Sequence, residues 1–260
     1  MLDLFENFSP LIQAMIASLF TFCLTTFGAS LVFLFKKVNN KIMNYLLGAS
    51  AGIMLSAAIF SLLLPAINQA KAMNLNVIIT VSSGLLLGSV LLIIGDKISS
   101  NFTSSNESNF RRILLLVTSI VLHNIPEGLA IGVAFGSIVY NIEGANLLSA
   151  ISLAIGIGLQ NIPEGAAISI PLRKEGLSRK KSFIIGSLSG IVEPISAIIG
   201  VLLVLEIKLV LPILLAFASG AMLFVIIEEL IPECMNDNNK NSIGIVTLIG
   251  FIIMMIMEII

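Results

Sequence analysis

Long apolar runs broken by short polar punctuation dominate this 260-residue chain. A helix needs about 20 mostly apolar residues to cross a bilayer. Eight runs meet that length, over residues 11–35, 42–65, 77–96, 112–139, 147–171, 182–206, 209–231 and 243–260. Glu206, Lys208 and Pro212 mark the break between the sixth and seventh. The longest polar connection, Lys97 to Arg112, is rich in Ser and Asn and reads as flexible. The pattern therefore predicts an all-α integral membrane protein with eight transmembrane helices in one domain spanning residues 1–260.

Loop charges test the count of spans. Twelve of the 14 Lys and Arg residues fall in loops one, three, five and seven, among them Lys36, Lys37, Arg111, Arg112, Arg173 and Lys240. Loops two and six hold only Lys71 and Lys208. The positive-inside rule then places the odd loops in the cytoplasm and both termini outside. A wrong count would scramble this alternation. The N-terminal stretch carries Asp3 and Glu6 in place of a basic segment, and the first run is long enough to span, so no cleavable signal peptide is expected.

Polar residues inside the apolar runs carry the chemistry. One six-residue phrase occurs twice, 37 residues apart: His123-Asn124-Ile125-Pro126-Glu127-Gly128 in the fourth span and Gln160-Asn161-Ile162-Pro163-Glu164-Gly165 in the fifth. Leu122, Ala130 and Ile131 also match Leu159, Ala167 and Ile168. Consecutive spans run in opposite directions, so the copies form an antiparallel pair, a partial likeness to the inverted repeats of transporters. On a helix the i, i+4 spacing puts His123 and Glu127 on one face, and Gln160 and Glu164 likewise. Pro126 and Pro163 each remove a donor, which leaves the carbonyls of Leu122 and Leu159 available to line a hydrated space. The pair would offer one imidazole, two carboxylates and amide oxygens to a shared cavity, a ligand set that suits zinc and other divalent first-row metals.

A structural His–Glu pair and two proline kinks are the plainer reading of either copy alone. The repetition, and the placing of the only His of the chain inside it, weigh against that reading, because ionisable groups in a bilayer are costly and mark function. Glu193-Pro194 in the sixth span repeats the theme of an acid followed by a helix breaker. Glu228 and Glu229 lie near the end of the seventh span, before Pro232-Glu233. On sequence grounds Met54 reads as packing, and Asp96 and Glu258 as interfacial boundaries.

Composition narrows the class. The chain is 57% hydrophobic and 11% charged, against about 25% charged for a soluble domain. A net charge of −1 gives no basis for a nucleic-acid partner. Cys23 and Cys234 form no CxxC, so disulfide and thiolate-metal readings are weak.

The paired phrases resemble those of the ZIP (Zrt-, Irt-like protein) family of divalent metal transporters, and the Gln that opens the second copy is similar to the prokaryotic GufA-like branch. The resemblance covers essentially the whole chain. It implies a ZIP-type bundle with a binuclear mid-membrane site built from His123, Asn124, Glu127, Gln160, Asn161, Glu164 and Glu193, with sulfur from Met54. Ser61 falls on the implied extracellular entrance path. Glu228 and Glu229 match a seventh-helix His–Glu pair, with an acid in place of the His. Gln160 stands where many relatives have His, and Asn161 where some have Asp, which makes the second metal position the weaker one. The loop between the third and fourth spans has no His cluster, which argues against a His-based sensor there.

The expected function is uptake of Zn2+ into the cytoplasm through a multi-pass cell-membrane protein. The resemblance implies helices 1, 4, 5 and 6 moving against helices 2, 3, 7 and 8, an elevator-like alternating access. Cd2+, Fe2+, Mn2+ and Co2+ suit similar ligands, and the sequence leaves a homodimer open. Two other classes are weighed. An intramembrane metalloenzyme needs HExxH or an equivalent, whereas here Asn follows the one His. A proton-coupled carrier of an organic solute would use the same carboxylates without metal.

Overall fold

The computed structural model describes residues 5–34, 40–102, 108–140, 146–206, 210–235 and 239–259. Asp3, Lys36, Lys37 and Lys208 lie outside these, as do the side chains of Asp96, Arg111, Arg112 and Lys174. The described residues contain helices and no strands, and eight helices are long and apolar enough to cross a membrane. They are α1 (Pro10–Leu34), α2 (Lys41–Ala72), α3 (Val77–Gly95), α4 (Val121–Tyr140), α5 (Leu147–Arg173), α6 (Arg179–Glu206), α7 (Leu211–Cys234) and α8 (Lys240–Ile259). The backbone helix that carries α4 begins earlier, at Ser108.

Local chemistry explains several boundaries. Asn146 accepts from the Ser149 amide at 2.8 Å and so caps α5, and Ser178 caps α6 through the Lys181 amide at 3.2 Å. Gly176 takes φ +99° in the α5–α6 turn, where a side chain would be strained. The largest departure from the hydropathy reading is α2, which passes Pro65 and ends at Ala72 instead of residue 65. The helix widens into a π-helical turn over Ala58–Leu63 just before that proline. A second π turn, Ile226–Leu230, precedes Pro232 in α7. A wider turn relieves the clash between a proline ring and the carbonyl behind it, so the helix bends without ending.

Packing divides the bundle into two four-helix groups. In one, α1 lies along α5 and α4 along α6; in the other, α2 lies along α8 and α3 along α7. Glycines make each of these pairs close. Gly28 and Gly165 join α1 to α5, Gly128 and Gly200 join α4 to α6, Gly52 and Gly250 join α2 to α8, and Gly88 and Gly220 join α3 to α7. In every case a methyl group added to the glycine would lie under 3 Å from the partner's backbone. Small residues of this kind drive helix pairing in lipid, where helices gain nothing from leaving water. The groups meet chiefly where α2 crosses α5 and α4 crosses α7. At one end of that seam a small open pocket lies between α2 and α7 on one side and α4 and α5 on the other, with Ser61, Ser137, Asn146 and Ser149 in its lining.

Candidate metal centre

The two copies of the repeated phrase face each other inside the first group. Helix α4 continues through Pro126 and α5 through Pro163, so each copy keeps its helical register. Asn124, Glu127, Gln160 and Asn161 are fully or almost fully buried, and Glu164 is 9% exposed.

Every amide of the two copies is tied down by its nitrogen. Asn124 Nδ2 donates to the Ser189 carbonyl at 3.0 Å. Gln160 Nε2 donates to Glu127 Oε1 at 2.7 Å. Asn161 Nδ2 donates to both carboxylate oxygens of Glu193, each at 2.9 Å. The opposite ends are open. Asn124 Oδ1, Gln160 Oε1, Asn161 Oδ1 and Glu127 Oε2 are buried and accept no hydrogen bond. An unsatisfied buried acceptor costs about 1–3 kcal/mol, so native proteins rarely keep one without reason. The two copies of the phrase carry four such oxygens, alongside six unpartnered Ser and Thr hydroxyls elsewhere among the described residues.

Charge sharpens the picture. The carboxylates of Glu127, Glu164 and Glu193 lie within electrostatic reach of one another. Among the described residues none of the buried side chains is Lys or Arg. When ionised, these acids need a cationic partner, and the buried side chains among the described residues supply none.

The other candidate residues sit in varied surroundings. His123 does not pair with Glu127 along its own helix; its Nε2 lies 2.8 Å from Glu229 Oε1 on α7, across the seam between the groups. Of the two seventh-helix acids, Glu229 reaches the centre and Glu228 is exposed. Among the described residues, no three His, Cys, Asp or Glu side chains converge on one point as a ready-made ligand set. Glu193 is surrounded by hydrogen-bond donors. Met54 is buried in the apolar core on α2. Ser61 donates to Glu258 on α8, so that acid is half-buried and partnered.

Three contributing residues escaped the sequence reading. Thr21 and Thr25 on α1 reach Glu193, and the Ser189 carbonyl holds Asn124. The threonines carried only a faint signal, a Thr-x3-Thr spacing on one face, because hydroxyls in membrane helices commonly bond their own backbone. Ser189 lies in a short 3-10 turn, Ser189–Ile191, whose presence the following Pro194 hints at.

Fold and centre together define a polytopic membrane protein with a buried, oxygen-rich and acidic site between transmembrane helices. Known proteins give that class a family. The model of the ZIP zinc transporter family matches residues 103–258. The chain is 32% identical to the zinc transporter ZIP11 of Xenopus tropicalis, over 98% of each protein. It is 30% identical to the zinc transporter GufA of Myxococcus xanthus, over 94% of this chain and 97% of the other. To the zinc transporter ZIPB of Bordetella bronchiseptica it is 31% identical, over 91% and 77% respectively. The chain belongs to the ZIP family. That is a family of transporters and not of enzymes, which sets the metalloenzyme reading aside.

Proposed function

We propose that this protein carries Zn2+, or a closely similar divalent ion, across the cell membrane into the cytoplasm through the centre between α4 and α5. The observation that carries this reading is the set of four unpartnered buried oxygens in the two copies of the phrase, beside the buried carboxyls of Glu127 and Glu164. A divalent cation satisfies both at once. Imidazole, carboxylate and amide donors from His123, Glu127, Glu164, Asn124, Gln160 and Asn161 suit a first-row divalent ion. Few and mostly oxygen donors also permit release, which transport requires.

The division of the bundle into two four-helix groups supports alternating access. Backbones interlock through glycines within each group, whereas α4 and α5 meet the other group through side chains such as His123 and Glu229. The contact between His123 and Glu229 offers the ion a route from the centre onto the opposite group. Glu229 lies at the end of the seam that loop charges place toward the cytoplasm. The cavity beside Ser61 opens at the other end and serves as the outer approach.

Uptake of 65Zn into proteoliposomes, with competing metals and an imposed pH gradient, tests this reading. Saturable zinc uptake that excess Cd2+ suppresses is the expected result. Transport of an organic solute that persists in metal-free protein, with no zinc flux, would replace this reading with the proton-coupled solute carrier.

A further inference from the structure

We infer that Glu193 does not ligate the transported ion but positions Asn161, and that Thr21 and Thr25 of α1 hold Glu193 for that task. This rests on the reading of the centre as a cation site. It gives the chain a one-ion centre in place of the two-ion centre that family resemblance implies.

The contrast between two acids is the starting point. Glu127 spends one oxygen on Gln160 and leaves the other open. Glu193 leaves neither open. Its Oε2 accepts from Thr21 Oγ1 at 2.5 Å and from Asn161 Nδ2 at 2.9 Å. Its Oε1 accepts from Asn161 Nδ2 at 2.9 Å and from Thr25 Oγ1 at 3.3 Å. The side chain is 0% exposed. An ion reaching Glu193 would have to displace donors from two helices.

The packing leaves little room for that displacement. A methyl group on Gly165 would stand 2.1 Å from the Thr25 carbonyl, and one on Gly190 would stand 3.1 Å from the Thr25 side chain. Helix α1 is thus pressed against α5 and α6 at the level of the threonines. The i, i+4 spacing of Thr21 and Thr25 turns both hydroxyls toward the same carboxylate.

The consequence falls on Asn161. Both Glu193 oxygens grip its amide nitrogen, so its carbonyl oxygen, Oδ1, is turned away from Glu193 and stays unpartnered. A partner that fixes the far side of a ligand is the usual device by which proteins orient metal ligands, and its loss costs about 10–100-fold in metal affinity. The relay runs from α1 through α6 to α5, and its last atom is a metal-type oxygen.

The test is calorimetric titration of Cd2+ into tag-free, detergent-solubilised full-length protein. One ion per chain is expected for the wild type. Thr21→Val and Glu193→Gln should each weaken binding about tenfold, with the stoichiometry still one. In an Asn161→Ala background the same substitutions should change affinity less than about twofold, because a residue that acts through another shows no separate effect once that one is gone. A general structural role would not produce this dependence. Two ions per chain in the wild type, one of them lost in Glu193→Gln, would overturn the inference and leave the proposed function standing. Additive losses in the Asn161→Ala background would overturn it too. Wild-type binding that survives Glu127→Ala unchanged, or no wild-type binding, would remove the cation centre itself. Should Thr21→Val fail to fold, the wild-type stoichiometry and the Glu193→Gln pair still decide.

Discussion

Zinc uptake by Glu127→Ala and by His123→Ala is expected to fall to background in proteoliposomes, a loss of more than about a hundredfold. Outer partners of a metal ligand are worth about 10–100-fold in affinity, and loss of a ligand itself exceeds that. Glu127 is fully buried, with one oxygen on Gln160 and the other unpartnered. Its removal deletes a charge from the centre and strands the Gln160 amide nitrogen as well. His123 is the one nitrogen ligand the chain can offer from imidazole. It also stands against Glu229 across the seam, so on the proposed route its loss would affect both the holding and the passing on of the ion. The measurement is initial-rate 65Zn uptake, with gel filtration to establish that each variant folds. Wild-type rates in both variants would take this centre out of the transport path.

The second large effect is on folding. Gly128→Val and Gly88→Val should each abolish most of the monodisperse protein recovered in detergent. A Cβ on Gly128 would lie 2.3 Å from the Glu193 carbonyl, and one on Gly88 would lie 2.1 Å from the Phe217 carbonyl. Backbone cannot yield as the end of a side chain can, so the helices must part. Overpacking typically costs about 1–3 kcal/mol and occasionally more, and a clash with backbone falls at the high end, a large share of the roughly 5–15 kcal/mol that holds a domain together. Gly88 joins α3 to α7, in the group that does not carry the repeated phrase. Its variant therefore separates failure of packing from failure of the ion site. Gly244→Ala is the control, since nothing lies within 4 Å of its added methyl. Gel-filtration profiles check all three. A normal profile for Gly88→Val would mean that this helix pair is looser than its geometry indicates.

What the sequence revealed of this architecture follows from which signals are local. Eight spans were legible because each must carry its own apolar length. The end of α2 was misplaced because Pro65 reads as a stop, and only three-dimensional packing determines that a π turn will carry the helix past it. The doubled phrase was legible because polar atoms in lipid stand out against their surroundings. The partner of His123 was not. The i, i+4 rule offers Glu127, but the approach of α7 to α4 brings Glu229 to the ring instead. Glu228 and Glu229 are neighbours in sequence, and only the orientation of the π turn Ile226–Leu230 decides which one faces inward. Thr21 and Thr25 illustrate the deeper limit. A threonine in an apolar helix is chemically quiet until another helix places an acid beside it.

The roles of the three buried acids also divide along lines that sequence could not draw. Glu127, Glu164 and Glu193 share a residue type and a neighbouring breaker, Gly128, Gly165 or Pro194. Their surroundings differ. Glu193 is enclosed by donors from α1 and α5, whereas Glu127 gives one oxygen to Gln160 of the second copy and keeps the other open.

The proposed centre requires that both copies of the phrase hold one divalent ion. X-ray absorption at the zinc edge, on tag-free protein loaded with one equivalent of Zn2+, reports this directly. The expected spectrum shows a nitrogen and oxygen shell at about 2.0–2.2 Å with the outer scattering of a single imidazole, and that outer scattering disappears in His123→Ala. A zinc shell without imidazole in the wild type, or a spectrum unchanged in His123→Ala, would contradict the account.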